Sequence, residues 1–275
     1  MLSQIVNALA LLDVFFVSKP VLATHVGSTH NYARFVLADG IGALVNLLRR
    51  HDDETSVLAC LKMLKNTYCQ FTNQRTTHGG DLLVGQLASV IQVMTEHAAS
   101  PAVQVECCSV MATFSVNMYS NNASTEFLLF AETLDPLLEA LRRYPDDAQV
   151  QGAAIRALTL FVRAVRPRPF DETTGPAFDL FCAVIKAIAD AGGLALVMHA
   201  LRKHQSATMV RAMACWLLAM LCFDPGVASS ITTTVGADLV LAALTHQHAD
   251  AYGRYTAALL LSTMVDKPPN FRGHW

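Results

Sequence analysis

Residues 188–223 read IADAGGLALVMHALRKHQSATMVRAMACWLLAMLCF. The pair Gly192-Gly193 opens an apolar helix, the basic turn Arg202-Lys203-His204 closes it, and a longer apolar helix follows from Ala207 to Phe223. Glycine punctuates helices, and the spacing of the leucines between the two punctuations is helical. The same pattern recurs along the rest of the chain, so its period decides the fold.

The last leucine-like residue of the shorter helix serves as an anchor. It is Leu48, Met94, Leu141, Leu201 and Leu244, at steps of 46, 47, 60 and 43 residues. Seven before each anchor stand Ile41, Leu87, Leu134, Leu194 and Ala237, and four before it stand Leu44, Val90, Leu137, Val197 and Val240. Nine after it stand Val57, Val103, Val150, Val210 and Gly253, and thirteen after it Leu61, Cys107, Ala154, Ala214 and Ala257. Sixteen after it come Leu64, Val110, Ala157, Leu217 and Leu260, and twenty after it Tyr68, Phe114, Phe161, Leu221 and Met264. The window needs no gap in any copy, and Gly253 alone breaks the apolar rule. Steps of three and four residues place these positions on one helix face. The intervening turns also repeat, as Arg49-Arg50-His51-Asp52-Asp53, Arg142-Arg143-Tyr144-Pro145-Asp146-Asp147 and Arg202-Lys203-His204. Acidic residues open the long helix in two copies, where the positive end of its dipole favours them.

A period of ~40–47 residues with two or three helices belongs to the armadillo and HEAT class. The segments ADAGGLALVMHALRKH (189–204) and LADGIGALVNLLRRH (37–51) resemble armadillo repeats, with a glycine-bearing turn between a short first helix and the second. The resemblance implies an all-α, right-handed superhelix of three-helix units whose third helices line a concave groove. Armadillo proteins that bind extended basic peptides, such as nuclear import receptors, place a Trp and, four residues on, an Asn on the third helix. The Trp position holds Met63, Ser109, Arg156, Trp216 and Leu259, and the Asn position Thr67, Thr113, Leu160, Met220 and Thr263. No copy carries the asparagine that would grip a peptide backbone, which argues against import-receptor function.

Composition narrows the function further. Hydrophobic residues make up 53% and charged residues 15% of the 275, yet no run reaches the ~18–20 apolar residues of a spanning helix. A net charge of −2 with no basic stripe argues against nucleic acid. There is no G-x-S-x-G, H-E-x-x-H, P-loop or dinucleotide fingerprint, so the chain is expected to be non-enzymatic, with no cofactor. Cys60, Cys69, Cys107, Cys108, Cys182, Cys215 and Cys222 form no CxxC pair and are expected to be reduced, structural thiols in a cytoplasmic protein. His246 and His248 flank Gln247 at a helix end, without the further ligands a metal needs. His51, His97, Tyr144 and His204 occupy equivalent turn positions and point to capping or packing rather than catalysis.

The expected organisation is one solenoid over 1–266. A partial leading repeat and connector (1–28) precede repeats at 29–70, 71–118, 119–165, 176–223 and 224–266, and a tail fills 267–275. Within residues 1–17, Ile5, Leu9, Leu12 and Phe16 keep the third-helix spacing, which favours a repeat over a signal peptide. Its apolar residues Val6, Leu11, Val14 and Phe15 predict self-association or a partner at that end. Further expected helices are 31–39, 40–51, 53–70, 82–97, 101–118, 123–132, 135–144, 146–165, 176–191, 193–204, 207–223, 237–247 and 249–266, with a poorly formed one at 72–80. The 60-residue step carries ~14 surplus residues around RPRPFDETTG (166–175), an exposed loop.

In an armadillo-like stack, positions eight, twelve, fifteen and nineteen after the anchor face the groove. The fourth repeat there offers Met209, Met213, Trp216 and Met220, the fifth Tyr252, Thr256, Leu259 and Thr263, and the third Gln149, Ala153, Arg156 and Leu160. A methionine-rich stripe bearing one tryptophan suits an apolar or amphipathic helix of another protein; the alternative is that these side chains pack between adjacent third helices. The reading is therefore an interaction scaffold; the alternative is an obligate structural subunit of a larger assembly. Far-UV circular dichroism is expected to show helix alone, and a substantial strand signal would refute the repeat register.

Overall fold

The computed structural model describes residues 39–50, 53–74, 80–117, 123–166, 175–245 and 251–265. Every regular element among them is a helix. In chain order these are α1 (Gly40–Arg50), α2 (Glu54–Gln74), α3 (Gly80–Glu96), α4 (Pro101–Asn117), α5 (Ala123–Arg143), α6 (Ala148–Ala164), α7 (Pro176–Asp190), α8 (Gly193–Lys203), α9 (Thr208–Leu221), α10 (Pro225–Thr245) and α11 (Ala251–Val265). The expected elements at 1–38, the loop core at 167–174, the tail at 267–275, His51, His246 and His248 lie outside the described residues. Two compact units result, Met1–Asn121 and Asn122–Trp275.

In the first unit α2 packs against α4, and α1 and α3 pack against each other and against α2 and α4 respectively. Their shared core contains Leu44, Leu48, Val57, Leu61, Leu64 and Tyr68 from one pair, and Val90, Met94, Val103, Cys107, Val110 and Phe114 from the other. These are the recurring apolar positions of the sequence. The Tyr68 and Phe114 rings meet edge to face at 5.9 Å, an aromatic pair joining the twentieth positions of two copies. In the second unit α6, α9 and α11 lie side by side, with α9 between the other two, while α5, α7, α8 and α10 pack around them. Every residue of α9 from Val210 to Leu221 is buried.

The helix breaks depend on one backbone position. Nine residues before the anchor stand Asp39 and Gly192, with φ of 55° and 78°. Asp39 directly precedes α1 and Gly192 separates α7 from α8, and Gly or Asp accepts the left-handed region most readily. Phe178–Asp190 and Gly193–Lys203 accordingly meet at 68°. Gly193 is also sterically required, because a Cβ there would sit 2.8 Å from Ile188 Cγ2 and 2.9 Å from the Ile188 carbonyl oxygen. The third repeat has Glu132 at the equivalent place, and α5 runs unbroken from Ala123 to Arg143 through Pro136. The expected break between 132 and 135 is thus absent; the position nine before the anchor is Glu132, which does not favour the left-handed region. Similarly, α10 joins the expected short first helix to 237–247, its arms Pro225–Thr233 and Asp238–Thr245 being bent by 81°.

In two copies a buried amide ties the second helix to the third helix that follows. Ten residues after the anchor, Gln104 Nε2 donates to the carbonyls of Met94 (2.7 Å) and His97 (3.2 Å). Gln151 Nε2 repeats the arrangement on Leu141 (2.8 Å) and Tyr144 (2.9 Å). At the same position of the fourth repeat, fully buried Arg211 donates from Nη1 to the Gln205 carbonyl at 2.7 Å. The last carbonyls of a helix have no partner within it, so a side chain from the neighbouring helix satisfies them. The long helices are capped at their other ends by Asp53, Ser100 and Asp147, whose side-chain oxygens accept from the N–H groups of Ser56, Val103 and Val150 respectively.

Gln151→Ala should leave the Leu141 carbonyl buried without its side-chain donor, while Tyr144 keeps the Asp147 N–H. The expected loss is about 1–3 kcal/mol, read by urea unfolding. An unchanged midpoint would show that the amide does not hold the two helices together.

Candidate partner-binding surface

The candidate surface lies within the second unit, on α6, α9 and α11. Contacts between these helices follow a fixed offset. Trp216 on α9 meets Tyr252 on α11 edge to face, ring centres 5.9 Å apart. The Arg163 guanidinium of α6 lies 5.6 Å from the centre of the Trp216 ring. Both contacts pair a residue with one seven positions earlier in the next copy. Together Arg163, Trp216 and Tyr252 form a diagonal of one cation–π and one aromatic contact across three helices. A Cβ on Gly152 would come 3.1 Å from Met209 Cγ, so α6 and α9 approach closely at that level. The Thr159 hydroxyl, which bonds the Ile155 carbonyl at 2.7 Å, also reaches the Met213 carbonyl at 3.4 Å.

The expected stripe divides on burial. Met209 is 49% exposed, Tyr252, Leu259, Arg156 and Ala153 are half-buried, and Gln149 is exposed. Met213, Trp216, Met220, Thr256, Thr263 and Leu160 are buried, Trp216 at 7%. Residues nineteen after the anchor therefore pack between adjacent helices, and the accessible part runs over Met209, Tyr252, Leu259 and Arg156. Trp216 supplies this surface mainly by holding Tyr252 and Arg163 in place. Arg163 was not among the residues singled out from the sequence, because it stands twenty-two after its anchor, past the repeat window.

On the turn side, the His204 ring nitrogen Nε2 lies 2.9 Å from the Pro145 carbonyl. A carbonyl only accepts, so Nε2 carries the proton. Lys203 pairs with Asp146 beside it and, by hydrogen bond and charge, holds that carboxyl below its usual pKa. The carbonyls of His97 and Tyr144 receive the buried amides described above. These equivalent turn residues thus take part in packing contacts.

Among the described residues no cluster of three or more His, Cys, Asp or Glu could hold a metal ion. No single helix among them is long and apolar enough to cross a membrane. None of the seven cysteines forms a disulfide. Burial pushes the Cys108 and Cys215 thiols up to about 12 and those of Cys60 and Cys222 up to about 11; Cys107 rises well above its usual value for the same reason. A thiolate is the reactive form, so these side chains act as small apolar groups. No family model matches the chain, and no curated protein or solved structure matches it.

The thiol shifts fix a pH dependence. Below the ordinary thiol value of 9.0 the folded and unfolded states both hold the proton, and stability from this source is constant. Between 9.0 and about 12 the unfolded chain loses the Cys108 proton while the folded chain keeps it, so stability falls as pH rises. Alkaline unfolding should begin above pH 9, and iodoacetamide at pH 8 should label exposed Cys69 while sparing Cys107, Cys108 and Cys215. Rapid labelling of the latter three in the folded protein would contradict their burial.

Proposed function

We propose that the chain is a non-enzymatic, cytoplasmic interaction scaffold built from armadillo-like repeats, and that α6, α9 and α11 receive a helical segment of another protein. The observation that carries this reading is the diagonal Arg163–Trp216–Tyr252, with exposed Met209 two helical turns before Trp216 on α9. Aromatic and arginine side chains together with an adaptable methionine are the composition of a protein-binding hot spot. The ungapped register, with a buried amide at the same offset in two copies, supports the solenoid arrangement. A second reading, an obligate subunit of an assembly, draws on Tyr255 and Leu241, which are 47% and 43% exposed. Large apolar side chains outside the proposed surface would then be covered by permanent neighbours.

Met209→Asp should abolish partner capture with helicity intact, because the side chain is largely outside the core. Trp216→Ala should weaken capture by about 2 kcal/mol or more by releasing Tyr252 and Arg163. Titration calorimetry against a purified partner measures both effects. Full affinity in both variants, each still folded by circular dichroism, would place the binding function elsewhere. A monodisperse monomer in size-exclusion chromatography supports the scaffold, and insolubility without a partner supports the obligate subunit.

A further inference from the structure

Three positions of the third copy face the fourth. Three before the anchor is Leu138, whose Cδ2 would lie 3.1 Å from a Cβ added to Gly193. Eleven after the anchor is Gly152, which lies against Met209, and eighteen after it the Thr159 hydroxyl reaches the Met213 carbonyl. Leu138, Gly152 and Thr159 are buried, and so are Met198, Ala212 and Ala219 at the same positions of the fourth copy. The fifth copy places Leu241, Tyr255 and Ser262 there. Leu241 is 43% exposed, Tyr255 47%, and Ser262 is half-buried. The side of α10 and α11 that matches the covered side of the two earlier copies is thus accessible among the described residues.

We infer that this side is a two-fold interface with a second copy of the chain. The exposed side of a helical-repeat stack is normally polar, whereas two large apolar side chains stand here. Tyr255 occupies the position of Gly152 and Ala212, and its ring does not allow the close approach that Met209 makes to Gly152. The side therefore suits one helix pair laid on another, rather than a single helix packed as α9 packs on α6. Charge selects the occupant. α10 and α11 carry one carboxylate, Asp238, and one guanidinium, Arg254. Both are exposed, and neither has an ion pair or hydrogen bond among the described residues. Asp238 lies about one turn before Leu241, and Arg254 adjoins Tyr255. A two-fold contact is reciprocal, so Asp238 of each copy is offered Arg254 of the other while Leu241 and Tyr255 are covered. An acidic or a basic occupant would gain one of these pairs and oppose the other.

Sedimentation equilibrium of the full chain over a range of concentrations tests the interface. A reversible monomer–dimer equilibrium is expected. Leu241→Glu/Tyr255→Glu, shown to be folded by circular dichroism, should weaken the dimer about tenfold or more. Asp238→Arg and Arg254→Asp should each weaken it about tenfold at low salt, because each sets like charges opposite one another, and the two changes combined in one chain should restore it. Leu241 and Tyr255 lie outside the surface proposed for α6, α9 and α11, so the two proposals fail separately. A chain that is monomeric at every concentration overturns the inference and leaves this side to another protein or to residues beyond Val265. A dimer indifferent to Leu241→Glu/Tyr255→Glu overturns it by placing the contact elsewhere. Charge reversals that have no effect singly, or that the combined chain does not repair, overturn the two-fold pairing.

Discussion

A helix without a polar side must be covered on every side, and α9 is such a helix. Its residues 210–221 are buried throughout, and Arg211, the charged residue among them, is turned to a turn carbonyl. Burying a large apolar side chain contributes roughly 1.5–3 kcal/mol, so α9 is favourable only where neighbours cover it all round. α6 and α11 close its flanks, and α8 and α10 pack against it as well. Short residues make the flank possible: Gly152 lets Met209 approach α6, and Ala212, Cys215 and Ala219 are fully or almost fully buried.

Close apolar packing explains why the helices adhere, but not why α3 with α4 and α5 with α6 keep one register. That role falls to the buried amides. Gln104 and Gln151 each donate to two carbonyls, ten and seven residues earlier, from positions 3% and 1% exposed. Shifting the third helix along the second by one residue would strand those carbonyls away from water. The apolar stripe tolerates small slips, whereas the amide does not, so polar chemistry sets the alignment that hydrophobic burial then stabilises.

Much of this was readable in the sequence, for a definite physical reason. Helical period and anchor spacing place α1, α4, α6, α8 and α9 within a few residues of their observed ends, because caps and apolar faces are local signals. The breaks were less legible. Asp39 and Gly192 advertise a left-handed turn, but Glu132 does not, and the armadillo-like expectation of a separate first helix at 123–132 gave way to a continuous α5. The amide position was visible as Gln, Gln and Arg at one offset, and became meaningful only once the carbonyls they reach were located. The burial of Met213, Met220 and Thr256 depends on the neighbouring helix and on side-chain sizes across the contact, which periodicity does not encode. The aromatic diagonal joins residues of three copies, and its Arg163 lies beyond the repeating window.

The fixed reach of the amide also bears on which lengths of chain can change. A glutamine side chain spans a constant distance, so the residues between the anchor and the tenth position after it cannot be lengthened or shortened without breaking both bonds. The surplus around 166–175 lies outside both of these stretches, Met94–Gln104 and Leu141–Gln151, so added length there leaves the amide bonds intact.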